Sequence, residues 1–236
     1  MTSQITPTDR IFVALDTTDL DRAISLSQQL VGLVGGVKMG KEFLTAFGPE
    51  GVKKVSASGM PVFLDTKFHD IPNTVASAIR AALPLKLFVI NVHASGGTAM
   101  MEAARDAAHQ ADAPRPLLIA VTVLTSLSDQ DLADIGMAGP SEDRVVALAQ
   151  LTQKAGLDGV VCSPLEITAV RKACGADFKL MVPGIRPTWS AAGDQKRIMT
   201  PKQAVDLGAD YLVIGRPITG ADDPVEAAKK IAAELG

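Results

Sequence analysis

Charged residues at fixed spacing mark the stretch Phe63-Leu64-Asp65-Thr66-Lys67-Phe68-His69-Asp70-Ile71-Pro72-Asn73-Thr74, where an apolar run ends in alternating charge. Side chains two apart on a strand share a face, so a strand over Val62 to Lys67 projects Asp65 and Lys67 together at its end. Pro72 suits the first turn of a helix, which puts Asp70 at a strand-to-helix corner. A carboxylate, an ammonium and a second carboxylate then cluster at that corner, a candidate functional constellation. The plainer reading is an ordinary ion pair, with Asp70 helping to cap the next helix. D-x-K-x-x-D alone does not choose between them.

The elements that must position this group recur along the whole chain. Eight short apolar or β-branched runs, each followed by a helix-like segment, span Arg10 to Asp16, Gly36 to Gly40, Val62 to Lys67, Leu87 to His93, Leu117 to Leu124, Gly159 to Ser163, Lys179 to Gly184 and Tyr211 to Gly215. Continuous apolar runs are expected of parallel strands covered on both faces. Helix starts are signalled by Asp19 before Leu20, by the capping-box spacing Ser163-Pro164-Leu165-Glu166, and by Thr200-Pro201, with Gly208 as the stop. Eight β-then-α units in 236 residues predict a (β/α)8 TIM barrel as a single domain over 1–236, with an open doubly wound sheet as the alternative. In such a barrel the carboxyl ends of the strands carry the chemistry. Polar residues stand there: Asp16, Lys38, Asp65, Lys67, Asn91, His93, Thr125, Ser126, Arg186 and Arg216.

Two of these strand ends suit a phosphate. Pro183-Gly184-Ile185-Arg186-Pro187 follows the seventh run and Ile214-Gly215-Arg216-Pro217 the eighth, the places where such barrels often bind phosphate through backbone N–H groups. Gly184 and Gly215 permit close approach, and Arg216 adds a charge-assisted contact. The segment from Gly184 to Thr200 is long for a connection that usually takes about 2 to 6 residues, and reads as a lid.

Other chemistries find little support. Gly35 to Lys41 spells G-x-x-x-x-G-K, but Glu42 follows where a P-loop needs Ser or Thr. His69, His93 and His109 lack paired metal-ligand spacing, and no G-x-S-x-G elbow occurs. Cys162 and Cys174 are the only cysteines; they suggest neither a disulfide framework nor a zinc site, and Cys162 reads as a buried thiol. A net charge of −3 argues against general nucleic-acid binding. The polar first ten residues and the lack of any apolar run near 18 residues predict a cytoplasmic protein with no membrane span.

Taken together, these stretches resemble the orotidine 5′-monophosphate decarboxylase family over nearly the whole chain. The resemblance rests on Val13-Ala14-Leu15-Asp16, Val37-Lys38-Met39-Gly40, Phe63 to Thr74, Val92-His93-Ala94, Val123-Leu124-Thr125-Ser126, Pro183 to Pro187, Gly193-Asp194-Gln195 and Ile214 to Pro217. No position in the site pattern departs from the family's bacterial form. The resemblance implies a homodimer that converts OMP to UMP without metal or organic cofactor. It implies Lys67 as proton donor to C6 of the pyrimidine, in a charge array with Lys38, Asp65 and Asp70. It further implies Asp16 and Lys38 at the ribose, Thr125 and Ser126 at the pyrimidine, and Gln195 as a lid contact to base and phosphate. Arg186, Gly215 and Arg216 fall at the phosphate, with Thr66, Ile71 and Pro183 among the further substrate contacts. Asp70 and Thr74 would enter the neighbouring subunit's site.

Two rival readings remain at this level. One is a magnesium-dependent sugar-phosphate decarboxylase or aldolase of the same barrel group; the resemblance gives those enzymes a Glu at the end of strand two, where this chain has Lys38. The other is a non-catalytic pyrimidine-nucleotide sensor, for which burying the full charge array would be a cost without a use.

Overall fold

In the computed structural model, which describes residues 5–112, 114–137, 139–190 and 199–236, parallel strands pair in chain order and close, β8 on β1. The strands are β1 (Ile11–Ala14), β2 (Gly36–Met39), β3 (Val62–Phe68), β4 (Val89–His93), β5 (Leu117–Val121), β6 (Gly159–Val161), β7 (Lys179–Val182) and β8 (Tyr211–Ile214). The helices that cover them are α1 (Leu20–Gln29), α2 (Lys41–Ser56), α3 (Pro72–Ala82), α4 (Thr98–Ala108), α5 (Asp129–Asp134), α6 (Ser141–Lys154), α7 (Ile167–Cys174), α8 (Pro201–Asp206), α9 (Arg216–Thr219) and α10 (Pro224–Leu235). The barrel expected from the sequence is therefore present, and the open sheet is not. Each strand lies within its expected run except β3, which extends to Phe68.

Alternation sorts the strand residues into two cores, which is why the runs are apolar throughout. Ile11, Val13, Val37, Met39 and Leu64 point outward and meet the helices. Phe12, Phe63, Val89, Ile119, Met181, Tyr211 and Val213 point inward and fill the barrel. At its amino end the Phe12, Phe88 and Tyr211 rings meet with centroids 5.5 to 5.8 Å apart. Gly36 makes room for them: a Cβ there would lie 2.5 Å from Phe12 Cε1. The next inward positions along β2, β3 and β4 are Lys38, Asp65 and Asn91, so an apolar plug carries a polar crown at the carboxyl end.

Helix starts follow the local signals. Asp19 Oδ1 accepts from Arg22 N at 2.9 Å, Thr200 and Gln203 form a capping box, and Glu166 Oε2 accepts from Ser163 N at 2.7 Å in a one-turn 3-10 segment that leads into α7. Gly208 stops α8 with a φ of 112°. The short helices α5, between β5 and α6, and α9, directly after β8, were not anticipated. At the amino end, carboxylates clasp adjacent strands. Asp158 takes both Arg115 Nη atoms and the Leu118 N–H at 2.7 Å each; Asp210 takes Arg171 at 2.8 Å and the Leu180 N–H at 2.9 Å. Cys162 and Cys174 are both free and buried, as expected for the first, and burial pushes both thiols above their ordinary range. Among the described residues no helix is long and apolar enough to cross a membrane.

Candidate active site

Four side chains form an alternating charge chain across the carboxyl ends of β1, β2 and β3. Asp16 Oδ1 lies 3.2 Å from Lys38 Nζ, Lys38 Nζ lies 3.2 Å from Asp65 Oδ2, and Lys67 Nζ donates to Asp65 Oδ1 at 2.6 Å. Lys38 and Asp65 are 8% and 7% exposed. Charges so enclosed persist only when paired and hydrogen-bonded, and here each has an opposite charge on either side. Burial pushes the Asp65 carboxyl up, but Lys38, Lys67 and the hydrogen bonds from Lys67 and Asn91 outweigh it and hold the group below its usual range. Gly40 borders the chain; a Cβ there would lie 3.0 Å from both Asp16 Oδ1 and Lys38 Nζ.

Asn91 ties the group to the neighbouring strand. Its Nδ2 donates to Asp65 Oδ1 at 2.7 Å, its Oδ1 accepts from Lys67 N at 2.7 Å, and its carbonyl accepts from Thr66 Oγ1 at 3.0 Å. These bonds hold an irregularity. The β3–β4 register shifts between Leu64 and Phe68, and Lys67 sits at φ 53°, in the left-handed region. Such a backbone costs a non-glycine residue about 1 kcal/mol or more and survives only where its surroundings impose it. Asp65 and Lys67 thus meet as expected, but across a strained bulge and not along a regular pleat. Sequence spacing places Asn91 only among the polar strand ends; the signal for a role is an amide inside the apolar run Val89-Ile90-Asn91-Val92, and the structure buries it fully.

The expected three-charge corner does not form within one chain. Asp70 is exposed, its Oδ1 accepts from Ile71 N at 2.7 Å, and it makes no ion pair among the described residues. It does not cap α3 either, whose N-cap is Ile71 with Pro72 in the first turn. The left-handed step at Lys67 breaks the two-residue alternation, so spacing from Asp65 no longer predicts where Asp70 points. Ile71, Asn73 and Thr74 are exposed beside it, Ile71 at 67%.

The remaining expected residues that are described lie at the same end of the barrel, on loops after their strands. Thr125 is half-buried and Ser126 exposed after β5; neither bonds to the four charged side chains among the described residues. After β7, Pro183 is half-buried and Arg186 buried, with Arg186 Nη1 donating to Ile185 O at 2.8 Å. Arg186 also lines a cleft of about 270 Å³ with Pro187, Thr188 and Thr200. Of the expected lid, Ile185 bridges Met199 and Trp189 Nε1 donates to Glu234 at 3.0 Å; Gln195 lies outside the described residues. After β8, Gly215 is the N-cap of α9, which Arg216 opens. His93 closes β4, its ring centroid 5.4 Å from that of His69; burial, then the neighbouring His69 and Lys67, lowers its pKa to about 4. A larger cleft of about 1010 Å³ opens near Lys53, Arg80 and Lys86 at the amino end, and no expected site residue lines it. No group of three or more His, Cys, Asp or Glu among the described residues is placed to hold a metal ion.

With this geometry in view, the sequence profile of the Orotidine 5'-phosphate decarboxylase / HUMPS family matches residues 9–231. The chain belongs to that family. The orotidine 5'-phosphate decarboxylase of Paramagnetospirillum magneticum is 54% identical over 230 residues, covering 96% of this chain and 98% of that protein. The same-named protein of Idiomarina loihiensis is 54% identical over 227 residues, with 96% and 98% covered. A crystal structure of orotidine 5'-phosphate decarboxylase from Lactobacillus acidophilus matches the fold with a TM-score of 0.82 at 36% identity, covering 96% of this chain and 98% of the other.

Proposed function

We propose that this protein decarboxylates orotidine 5′-monophosphate to UMP in pyrimidine synthesis, in the cytoplasm, with neither metal nor organic cofactor. The observation that carries the reading is the Asp16–Lys38–Asp65–Lys67 chain, which holds the Lys67 ammonium 2.6 Å from Asp65 at the carboxyl end of the barrel. Breaking the bond from C6 to its carboxylate leaves the electron pair on a vinyl-type carbon with no adjacent sink, so stabilisation must come from charge fixed in advance. Lys67 supplies that charge as CO2 departs, then passes its proton to C6 and regains one from water. Asp65, braced by Lys38 and Asn91, fixes the ammonium. Its own charge beside the substrate carboxylate would add ground-state repulsion.

Asp16 and Lys38 take the ribose, Thr125 and Ser126 the pyrimidine, and Arg186, Gly215 and Arg216 the phosphate. Thr66, Ile71 and Pro183 complete the pocket, and Gln195 closes it from the lid. Grip on the phosphate then drives closure and water exclusion. The working unit is a homodimer in which Asp70 and Thr74, exposed in the single chain, enter the partner's site and complete the charge array there. Lys38 stands where a magnesium-dependent relative would need a carboxylate, and an ammonium there repels the metal.

Loss of OMP absorbance in buffer containing EDTA, followed for the wild type beside Lys67→Ala, tests the reading. Conversion by the wild type, no turnover by the variant and retained UMP binding by both are expected. Near-normal turnover by Lys67→Ala would overturn the mechanism, and conversion only after magnesium is restored would overturn the cofactor-free reaction.

A further inference from the structure

We propose that His69 is a positioning residue: its ring, seated on His93, sets the direction in which the corner after β3 delivers Asp70 to the neighbouring subunit. The inference rests on the dimeric decarboxylase reading above and gives that dimer a mechanical part. Three observations carry it.

The first is the seat. The His69 and His93 rings lie 5.4 Å apart, tilted by 39°. His93 ends a strand that pairs along its length with β5, so one ring of the pair is anchored in the barrel. Gly96, in the turn after β4, borders the pair: a Cβ there would clash chiefly with Met100 Sδ and would lie 3.2 Å from His69 Cδ2, a tight contact. Burial, then His69, Lys67 and Lys41, against the opposing pull of Asp65, keeps the His93 ring neutral. The rings therefore meet without facing positive charges.

The second is the lack of any polar bond. The His69 side chain makes no hydrogen bond or ion pair among the described residues, so ring packing is its contribution to the local structure. The third lies in the neighbouring residues. Among the described residues Asp70 has only the adjacent Ile71 N–H as a hydrogen-bond partner, and 69–74 are all exposed. Between the left-handed Lys67 and the first turn of α3, His69 is the anchor next to Asp70. Positioning errors of about 1 Å at a reacting centre can cost on the order of 100-fold in rate, and release of this anchor would displace Asp70 directly.

Because Asp70 acts on the partner's side, the effect of His69 is expected across the dimer. Heterodimers of differently tagged chains test this. A wild-type chain paired with a Lys67→Ala chain keeps one working site, built from the wild-type Lys67 and the other chain's Asp70. Turnover by this reference checks the underlying reading; none from it, or none from the wild type, would defeat that reading before His69 is touched. His69→Ala placed in the Lys67→Ala chain should lower kcat by about tenfold or more, with a smaller change in KM. Placed in the chain with the intact lysine, it should leave the reference rate within about twofold, since the Asp70 it disturbs serves the dead site. His69→Phe, which keeps a ring on His93, should recover most of the lost rate. The reverse pattern, equal effects in both arrangements, no effect in either, or a Phe variant as slow as Ala would each overturn the proposal.

Discussion

Replacing His93 with Gln should make the protein less sensitive to mild acid, and the size of the effect can be worked from the site. Burial lowers the His93 pKa from 6.5 to about 4. Between those values the unfolded chain takes up a proton that the folded ring refuses, so stability falls as pH falls through the window and is unaffected above it. Each tenfold change in acidity is worth about 1.4 kcal/mol, which bounds the total at about 3.4 kcal/mol. The ring is only half-buried, and solvent screening reduces the expected loss to about 1–2 kcal/mol. Asp65 does not intrude. Its carboxyl is held below the ordinary 3.8, so the stability it contributes persists above that value and is lost only in stronger acid. Urea unfolding followed by circular dichroism at pH 7.5 and 4.5, at one protein concentration, measures the difference. The wild type should lose about 1–2 kcal/mol more than His93→Gln on acidification. Equal losses, or a larger loss in the variant, would refute the burial argument.

Three further outcomes are expected. Arg216→Ala should raise the KM for OMP by about 10- to 100-fold, the worth of one charge-assisted phosphate contact, with a smaller change in kcat; an unchanged KM in steady-state titration would remove Arg216 from the phosphate site. Asp158→Ala strands Arg115 and the buried Leu118 N–H at the amino end, and urea midpoints should show a loss of about 2–3 kcal/mol with kcat/KM nearly unchanged. Gly40→Ala would push a methyl group against both Asp16 and Lys38. It should lower kcat/KM by about tenfold while barely moving the unfolding midpoint, and the two assays run side by side would separate a site effect from a folding defect.

Local chemistry made much of this protein legible in its sequence. The strand runs were readable because a barrel strand is covered on both faces, and Asp19, Ser163 with Glu166, and Thr200 with Gln203 announce helix starts through bonds within three residues. Polar residues at the ends of apolar runs pointed to the carboxyl end of the barrel before any contact was known. The short α5 and α9 escaped because four to six residues carry too little periodicity to register.

What spacing could not supply was the outcome of competition between distant partners. Asn91 bonds to Asp65, Thr66 and Lys67 from 24 to 26 positions away, and those bonds accompany the left-handed step that separates Asp70 from the group it adjoins in sequence. His69 and His93 lack metal-like spacing in the chain yet their rings meet at the carboxyl end of the barrel. Sequence alone determined which residues end the strands, since alternation and burial act over neighbouring positions. Tertiary structure decided which of those ends touch, because only closure of the sheet sets the register between strands and offers a buried amide or carboxylate the partners it must find.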